Sequence, residues 1–362
     1  MGDDVGRTHL AVYVDGPYSG PRKFGEQTRL FEDLSLLGRD TGVDVQVLTP
    51  GDLSTGRAHV FTGTAWETAP RAPMDVVLRR SGVFHRHPAL AARELVALRR
   101  HGLLHTLPRQ SGHKWKMYAW LRGDARLRPH LPRTWLCARI EDLMALLASQ
   151  DDLYVKPLNG TQGQGIYRVR RRAGKIELLP AAGGGLITVA TPSELQRAWP
   201  ADAWVPAVAQ TTIPLARVGN RPFDLRWLVC DGDCPQIIAR VARLAKPSAV
   251  TTNIHTGSEP RAAETALVEA FGAQTAGDLV NQLDDIAMAV AELARDKFGP
   301  YAELGLDLAV SDDGRAYFIE LNPTPGRRML RRLDPKVHRL SLQALLEYAI
   351  QVRQRRGGYA QG

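Results

Sequence analysis

The first part of the chain alternates short apolar runs with longer stretches of helical periodicity. Apolar runs at 8–14, 43–48 and 75–78 predict three β-strands. Leucines spaced three and four residues apart predict a helix over 26–41, and a second helix is expected over 89–101. Strands that alternate with helices are typical of an α/β domain, so we expect a small domain with a parallel sheet here.

The remainder of the chain mixes helices with strand hairpins. Apolar runs at 301–310 and 316–321 are separated by Ser-Asp-Asp-Gly, which predicts a β-hairpin. Thr191 and Glu194 have the spacing of a capping box, and the proline between them suits the first helical turn, so a helix is expected to begin there. Further helices are predicted at 114–121, 141–149, 284–298 and 340–352.

A glycine-rich loop at 159–165 follows an apolar strand and precedes a segment that alternates with period two. The loop therefore joins two strands, whereas a P-loop or a dinucleotide fingerprint must open a helix. The free N–H groups of such a hairpin can form an anion nest, and Lys156 just before it would add a mobile positive charge. An ordinary surface hairpin explains the same pattern, and both interpretations stay open.

The predicted hairpin near the carboxyl end places three oxygen donors on one face. With a four-residue turn, Asp307 would lie opposite Phe318 and diagonally across from Glu320, with Asn322 two residues further along. Two carboxylates and an amide suit Mg²⁺ that is held partly by substrate phosphates. The alternative is a solvated polar face, but the acid, acid and amide sequence before a Pro-rich turn favours the metal site.

Charge and cysteine content narrow the class of protein. The chain has 47 Lys and Arg against 38 Asp and Glu, a formal net charge of +9, which favours anionic partners such as nucleotides, carboxylates or nucleic acid. The arginine-rich stretches at 168–172 and 327–332 lack interleaved aromatic residues, so nucleic acid is an unlikely partner. Three cysteines, the absence of a secretory signal at 1–9 and the absence of an apolar run of ~20 residues predict a cytoplasmic protein without a membrane span.

The glycine loop and the carboxylate hairpin, in this order, resemble the ATP-grasp superfamily. Further motifs resemble its YheC/YheD branch, which is named for endospore coat-associated proteins. These motifs are Phe-Gly-Glu-Gln-Thr at 24–28, Asp-Val-Val at 75–77, His-Lys-Trp at 113–115, Leu-Pro-Arg-Thr at 131–134, Pro-Phe-Asp-Leu-Arg at 222–226 and Thr-Asn-Ile-His-Thr-Gly at 252–257.

The resemblance implies a fold that combines α/β and α+β parts. A pre-ATP-grasp α/β domain is expected over 1–108, followed by an ATP-grasp fold of two α+β subdomains over 109–352. The glycine-loop subdomain would cover about 135–208 and the metal subdomain about 209–352, with a flexible tail at 353–362.

The resemblance also assigns roles to individual residues. Lys114 and Lys156 would hold phosphates of ATP, and the segment 209–213 would be the hinge beside adenine. Gln210 stands where many family members have an acidic residue, so ATP rather than GTP is inferred from the family. The residues assigned to nucleotide binding are Lys114, Lys156, Gly160, Thr161, Gln162, Gly163, Gly165, Gln210 and Ile213.

The metal and catalytic assignments come from the same resemblance. Asp307, Glu320 and Asn322 would carry one or two Mg²⁺ ions, with Mn²⁺ as a possible substitute. Arg243 and Arg226 would face the reacting phosphate or carboxylate, although a surface salt bridge is the alternative for each arginine.

The implied activity is ATP-dependent ligation of a carboxylate to an amine through an acyl phosphate, with ADP and phosphate as products. Small-molecule carboxylates and amines, such as amino acids or peptides, would be the substrates, and a homodimer is possible. A phosphotransferase on the same scaffold and a structural or coat-associated nucleotide-binding protein without turnover are the alternatives.

Overall fold

The structure is a computed structural model that describes residues 6–160, 165–181, 184–199, 206–245 and 258–359. Its helices are α1 (Thr28–Asp40), α2 (Asp52–Thr55), α3 (Pro88–Arg100), α4 (Lys114–Leu121), α5 (Ile140–Leu147), α6 (Pro192–Ala198), α7 (Ala263–Phe271), α8 (Ala273–Phe298), α9 (Arg328–Leu333) and α10 (Pro335–Tyr359). None of these helices combines the length and the apolarity that crossing a membrane requires.

The strands form three sheets. Those of the first sheet are β1 (Thr8–Tyr13), β2 (Val43–Leu48), β3 (Arg57–Phe61), β4 (Trp66–Pro70) and β5 (Val76–Arg79). Those of the second are β6 (Thr134–Cys137), β7 (Asp152–Pro157), β8 (Tyr167–Arg172), β9 (Lys175–Pro180), β10 (Ile187–Val189) and β11 (Ala207–Thr211). Those of the third are β12 (Arg217–Val218), β13 (Arg221–Cys230), β14 (Gln236–Leu244), β15 (Glu259–Ala262), β16 (Glu303–Val310) and β17 (Ala316–Asn322).

The first sheet has the order β4-β3-β2-β1-β5 and is mixed rather than purely parallel. β1 pairs in parallel with β2 and β5, as the alternation of strands and helices predicts. β3 and β4 add an antiparallel hairpin at one edge, which the sequence analysis missed. β4 is largely exposed, and β3 is only five residues long with apolar residues at 58, 60 and 61, which do not alternate strictly with polar ones, so neither strand was predicted.

The last helix of the chain completes the core of the first domain. Leu342, Leu345 and Leu346 of α10 pack with α1 on one face of the first sheet, while α3 packs on the other face. The predicted helix ended at Val352, but α10 continues to Tyr359, through most of the predicted flexible tail. Arg356 explains the extension, because its guanidinium donates to the carbonyl oxygens of Asp75, at 3.0 Å, and Gly102.

The second sheet is antiparallel, in the order β10-β9-β8-β7-β11-β6, and it carries the glycine loop between β7 and β8. The predicted capping box begins α6: the Thr191 hydroxyl accepts from the Glu194 N–H at 3.2 Å, and the Glu194 carboxylate accepts from the Thr191 N–H at 3.4 Å. Alternate residues of β7, including Leu153 and Val155, enter the core of this subdomain, which leaves Lys156 on the other face.

The third sheet has the order β15-β14-β13-β16-β17, and β12 pairs with β13. The hairpin of β16 and β17 is confirmed, but its predicted register was wrong. Val310 lies opposite Ala316, and a bulge shifts the register so that Asp307 lies directly opposite Glu320 rather than Phe318. The turn is one residue longer than predicted and the extra residue in β17 adds one more to the offset, an irregularity that spacing alone does not reveal.

Candidate functional site

Lys156 projects from β7 toward the neighbouring strand β11. Its ammonium group donates to the side-chain oxygen of Gln210 at 2.6 Å, and the Gln210 amide nitrogen donates to the Thr134 hydroxyl at 3.0 Å. Gln210 is 9% exposed, so both ends of its amide are fixed within the sheet. The predicted hinge residue therefore positions Lys156, and Ile213 lies just beyond the end of β11, half-buried.

The pKa of Lys156 shows which charges surround it. The pKa is lowered to about 8: burial is the largest cause and Lys114 adds to it, while the carboxylates of Glu320 and Asp307 oppose the shift. Because Glu320 and Asp307 belong to the third sheet and Lys156 to the second, the two subdomains meet at these side chains. The charges of one further predicted phosphate-binding lysine and of two predicted metal ligands therefore act on Lys156.

Lys114 is the first residue of α4 and lies against the start of the glycine loop. Its backbone N–H donates to the Leu158 carbonyl at 3.0 Å, and its ammonium group donates to the Gly160 carbonyl at 3.3 Å. Gly165 ends the loop with φ +66°, a conformation that glycine adopts readily. The other loop residues assigned to nucleotide binding, Thr161, Gln162 and Gly163, lie outside the described residues.

The lowered pKa of Lys156 predicts a pH-dependent nucleotide affinity. Below about pH 8 the amine is already protonated, so phosphate binding requires no proton uptake. As the pH rises above 8, binding must be coupled to protonation, and the affinity is expected to fall by up to about tenfold per pH unit. Lys156→Arg should remove this decline, because a guanidinium stays charged.

Binding of a fluorescent ATP analogue between pH 7 and 9.5 measures the effect. Lys116→Arg is the matched control. Lys116 lies two residues after Lys114 and is exposed, so this variant should show the same decline in affinity as the wild type. An unchanged decline in Lys156→Arg would contradict this role for Lys156.

Asp307 lies at the centre of a buried ion network on one face of the third sheet. Its carboxylate accepts from Arg226, which lies directly opposite on β13, and from Arg243 at 3.2 Å. Arg243 is in turn held by Asp224 through two contacts of 2.6 and 2.5 Å. Arg226, Arg243 and Asp307 are each less than 9% exposed, which overturns the surface salt bridge as an explanation of either arginine.

The arginines keep Asp307 ionised. Burial alone would raise the pKa of Asp307, but the charges of Arg226 and Arg243 outweigh it and lower the pKa to about 2. Burial alone would lower the pKa of Arg243, but the charges of Asp224 and Asp307 outweigh burial and raise this pKa above its usual value. No role was predicted for Asp224. Asp224 and Arg226 are two residues apart on one strand, so their side chains lie on the same face of the sheet.

The predicted metal ligands offer two carboxylates and one amide, the oxygen donors that a hard divalent cation prefers. Asp307 and Glu320 face each other across the hairpin, and Glu320 is exposed. Asn322 is half-buried, and its side-chain oxygen accepts from the Thr324 N–H at 3.0 Å. Within the described ranges no group of three or more His, Cys, Asp or Glu side chains could hold a metal, so the candidate set depends on the amide of Asn322 and on substrate oxygens.

Gly305 makes room for the Arg226 side chain beside Asp307. A Cβ atom on Gly305 would lie 2.9 Å from Pro325 Cβ and 3.1 Å from an Arg226 guanidinium nitrogen. Gly305→Ala is therefore expected to lower the free energy of unfolding by about 1–3 kcal/mol, through displacement of Pro325 and Arg226.

Thermal and urea unfolding would measure this change. Gly277→Ala is the control with the opposite sign: Gly277 lies in α8, a Cβ there meets nothing within 4 Å, and alanine should stabilise the helix by about 0.5–1 kcal/mol. Equal stabilisation by both substitutions would show that the space at Gly305 is not required.

A second buried ion cluster joins the first domain to the turn after the hairpin. Glu303 at the start of β16 pairs with Arg80 of the first domain and, at 2.6 Å, with Arg327. Arg80 also donates to the Pro325 carbonyl at 2.9 Å. The turn that leaves the candidate metal site is therefore held by the first domain.

Comparison with known proteins places the chain in a family. Residues 105–352 match the family model "YheC/D like ATP-grasp". The chain is 24% identical over 260 residues to "Endospore coat-associated protein YheD" of Bacillus subtilis (strain 168), an alignment that covers 66% of this chain and 53%, about half, of the length of that relative. It is 20% identical over 319 residues to "Endospore coat-associated protein YheC" of the same organism, which covers 84% of this chain and 86% of the relative.

Solved structures share the fold at low sequence identity. The ATP-grasp ligase PsnB in complex with its minimal precursor superposes with a TM-score of 0.56 at 16% identity, covering 94% of this chain and 98% of that one. D-alanyl-alanine synthetase A from Vibrio cholerae O1 superposes with a TM-score of 0.55 at 11% identity, covering 96% and 99%. Because the family model matches most of the chain, the protein belongs to the YheC/D-like ATP-grasp family and has the fold of ATP-grasp ligases.

Proposed function

We propose that the protein is an ATP-dependent ligase that joins a carboxylate to an amine through an acyl phosphate. The observation that carries the proposal is that the charges of Lys114, Glu320 and Asp307, which lie on three different elements, all act on the buried Lys156. Lysines and carboxylates whose charges act on one another suit a triphosphate that is neutralised in part by lysines and in part by a divalent cation.

The residues of the chain would act by positioning and by charge. Lys156 and Lys114 bind phosphate oxygens of ATP, which then lies between the two sheets. A carboxylate oxygen of the substrate attacks the γ-phosphorus and ADP leaves; an amine then attacks the carbonyl carbon of the acyl phosphate, phosphate leaves and the amine loses a proton. Arg226 and Arg243 would orient the carboxylate of Asp307 and keep it ionised beside the reacting phosphate.

Asp307, Glu320 and Asn322 are the residues that would hold Mg²⁺, or Mn²⁺ in its place. When bound, the ion would neutralise phosphate charge. The ion network around Asp307 keeps that carboxylate negatively charged, and the exposed Glu320 is the more accessible of the two acids.

Amino acids and peptides are the substrate class that the comparisons favour. PsnB was solved with the precursor peptide PsnA2 and AMPPNP, and a RiPP-associated ATP-grasp ligase of Chryseobacterium gregarium was solved with ADP and a leader and core peptide. Other neighbours are a D-alanyl-alanine synthetase and the D-cycloserine synthetase DcsG. These names describe those proteins, and for this chain they support a substrate with a free carboxylate and a free amine.

The test is ATP consumption screened against pooled amino acids and peptides, with mass spectrometry of the products. We expect ADP, free phosphate and a new amide in equal amounts. A phosphorylated product without free phosphate would instead identify a phosphotransferase, and nucleotide binding without consumption in any pool would favour a coat-associated protein without turnover.

Nucleic acid binding receives no support from the arginine-rich stretch on β8. Arg168 pairs with Asp152 at 2.5 Å, Arg170 with Glu177 at 2.6 Å, and Arg171 approaches Asp151 at 3.2 Å. These arginines are already paired with carboxylates, which reduces the positive charge they offer to a phosphate backbone.

A further inference from the structure

A second polar site lies at the carboxyl edge of the first sheet. β1 lies between β2 and β5 and pairs with both in parallel. α1, which follows β1, packs on one face of the sheet, and α3, which follows β5, packs on the other. The gap between the carboxyl ends of β1 and β5 is therefore a topological switch point, the place where open α/β sheets bind ligands.

Asp15 is the carboxylate at this point, and it is 5% exposed. Its N–H donates to the Ser81 hydroxyl at 2.8 Å, which ties it to the loop after β5. Its Oδ2 accepts from the Tyr18 hydroxyl at 2.9 Å and from the His85 N–H at 3.2 Å. Its Oδ1 is enclosed and accepts no hydrogen bond from the part of the chain that the structure describes. A buried carboxylate oxygen without a donor is costly, so the site is suited to a donor that comes from outside the chain.

Charges of both signs lie near Asp15: the Arg86 guanidinium carbon is 5.7 Å from the centre of the Tyr18 ring, and further acids act on Tyr13. The buried Tyr13 hydroxyl, next to the switch point, donates to Glu94 at 2.5 Å. Burial raises the pKa of Tyr13 most, Glu94 raises it next, and the charges of Asp52 and Asp15 raise it further. Because no cluster of acids among the described residues could hold a metal, an organic cation fits better than a metal ion.

The same edge of the sheet faces the turn that follows the candidate metal hairpin. Arg80, at the carboxyl end of β5, donates to the Pro325 carbonyl at 2.9 Å, and Glu26 approaches Arg328 at 3.5 Å. A ligand held at Asp15 would therefore lie on the side of the first domain that meets the candidate active site.

We propose that Asp15 forms a subsite for the primary ammonium group of an amino acid or peptide. An ammonium group has no free lone pair, so the group held at Asp15 cannot be the attacking amine. It would instead orient the substrate. Because Oδ1 is enclosed, the loop that carries the 41% exposed Tyr18 has to open for the ligand to enter. That the ligand is a substrate rests on the proposed ligase function, whereas ammonium binding at Asp15 does not.

Isothermal titration of the full chain without nucleotide tests the subsite. The probes are glycine, L-alanine, D-alanine and diglycine, with acetate and propionate as matched acids that lack the amine. We expect at least one amine to bind, neither acid to bind, and Asp15→Asn to weaken the amine by roughly 10- to 100-fold. Tyr18→Phe, which removes a donor to Oδ2 and keeps the carboxylate, should bind at least as tightly as the wild type. Asp296→Asn, at an exposed aspartate of α8, is the matched control and should change nothing.

Two outcomes would overturn the proposal. One is that no amine probe binds, and the other is that Asp15→Asn binds the amine with unchanged affinity. Hydrogen exchange of the wild-type protein provides a readout that needs no variant: the bound amine should slow exchange in 15–24 and 81–87, and unchanged exchange there would also overturn it. An amine that binds here but supports no ATP consumption would count against the ligase function and leave the subsite standing.

Discussion

Glu320→Gln is expected to lower the rate of ATP consumption by about 100-fold or more, while the fold survives. Glutamine keeps the shape of the side chain but removes the charge that a divalent cation needs. Because Glu320 is exposed and makes no ion pair with any residue that the structure describes, its neutralisation should cost little stability. The measurement is the rate of ADP release with a substrate pool that activates the wild type.

Asp312→Asn is the matched control for this prediction. Asp312 is exposed on the turn of the same hairpin, at the end away from Asn322, and its replacement should leave the rate unchanged. Full turnover by Glu320→Gln would show that this carboxylate has no part in catalysis.

Glu303→Gln is expected to lower the free energy of unfolding by about 3–5 kcal/mol. Glu303 is 4% exposed and is the shared partner of Arg80 and Arg327, which are 6% and 3% exposed. Without its charge, two guanidinium groups would face each other in the interior with no acid between them. The substitution should also loosen the turn at Pro325, because Arg80 contacts both the Glu303 carboxylate and the Pro325 carbonyl.

Urea unfolding followed by circular dichroism measures this loss. Glu269→Gln is the control, because Glu269 pairs with Arg261 at 2.8 Å with side chains 44% and 30% exposed, and such a pair contributes no more than about 1 kcal/mol. A loss of under 1 kcal/mol for Glu303→Gln would contradict the view that this cluster joins the first domain to the hairpin.

The two hairpins that define the site could be predicted from the sequence because their signals are local. Strand periodicity and a turn sequence place Lys156 before the glycine loop, and Asp307, Glu320 and Asn322 on one hairpin. The family and the fold class were also predicted, and the comparisons confirm both. The roles given to these residues remain predictions.

The partners of these residues could not be predicted, since they depend on pairings between distant strands. Arg226 meets Asp307 because β13 lies beside β16, and Arg243 meets Asp224 because β14 lies beside β13. Likewise, the register of Asp307 with Glu320 depends on a bulge that no turn rule specifies. Asp15 was missed because a lone aspartate after a strand carries no signal until the sheet order shows that it lies at a switch point.

The most direct test of the central claim is a crystal structure with a non-hydrolysable ATP analogue and Mn²⁺, in which anomalous scattering locates the metal. We predict that the metal lies between the phosphates and the oxygens of Asp307, Glu320 and Asn322, with the ammonium groups of Lys114 and Lys156 on the phosphates. A nucleotide bound away from these side chains, or a metal that none of the three oxygen donors contacts, would contradict the account.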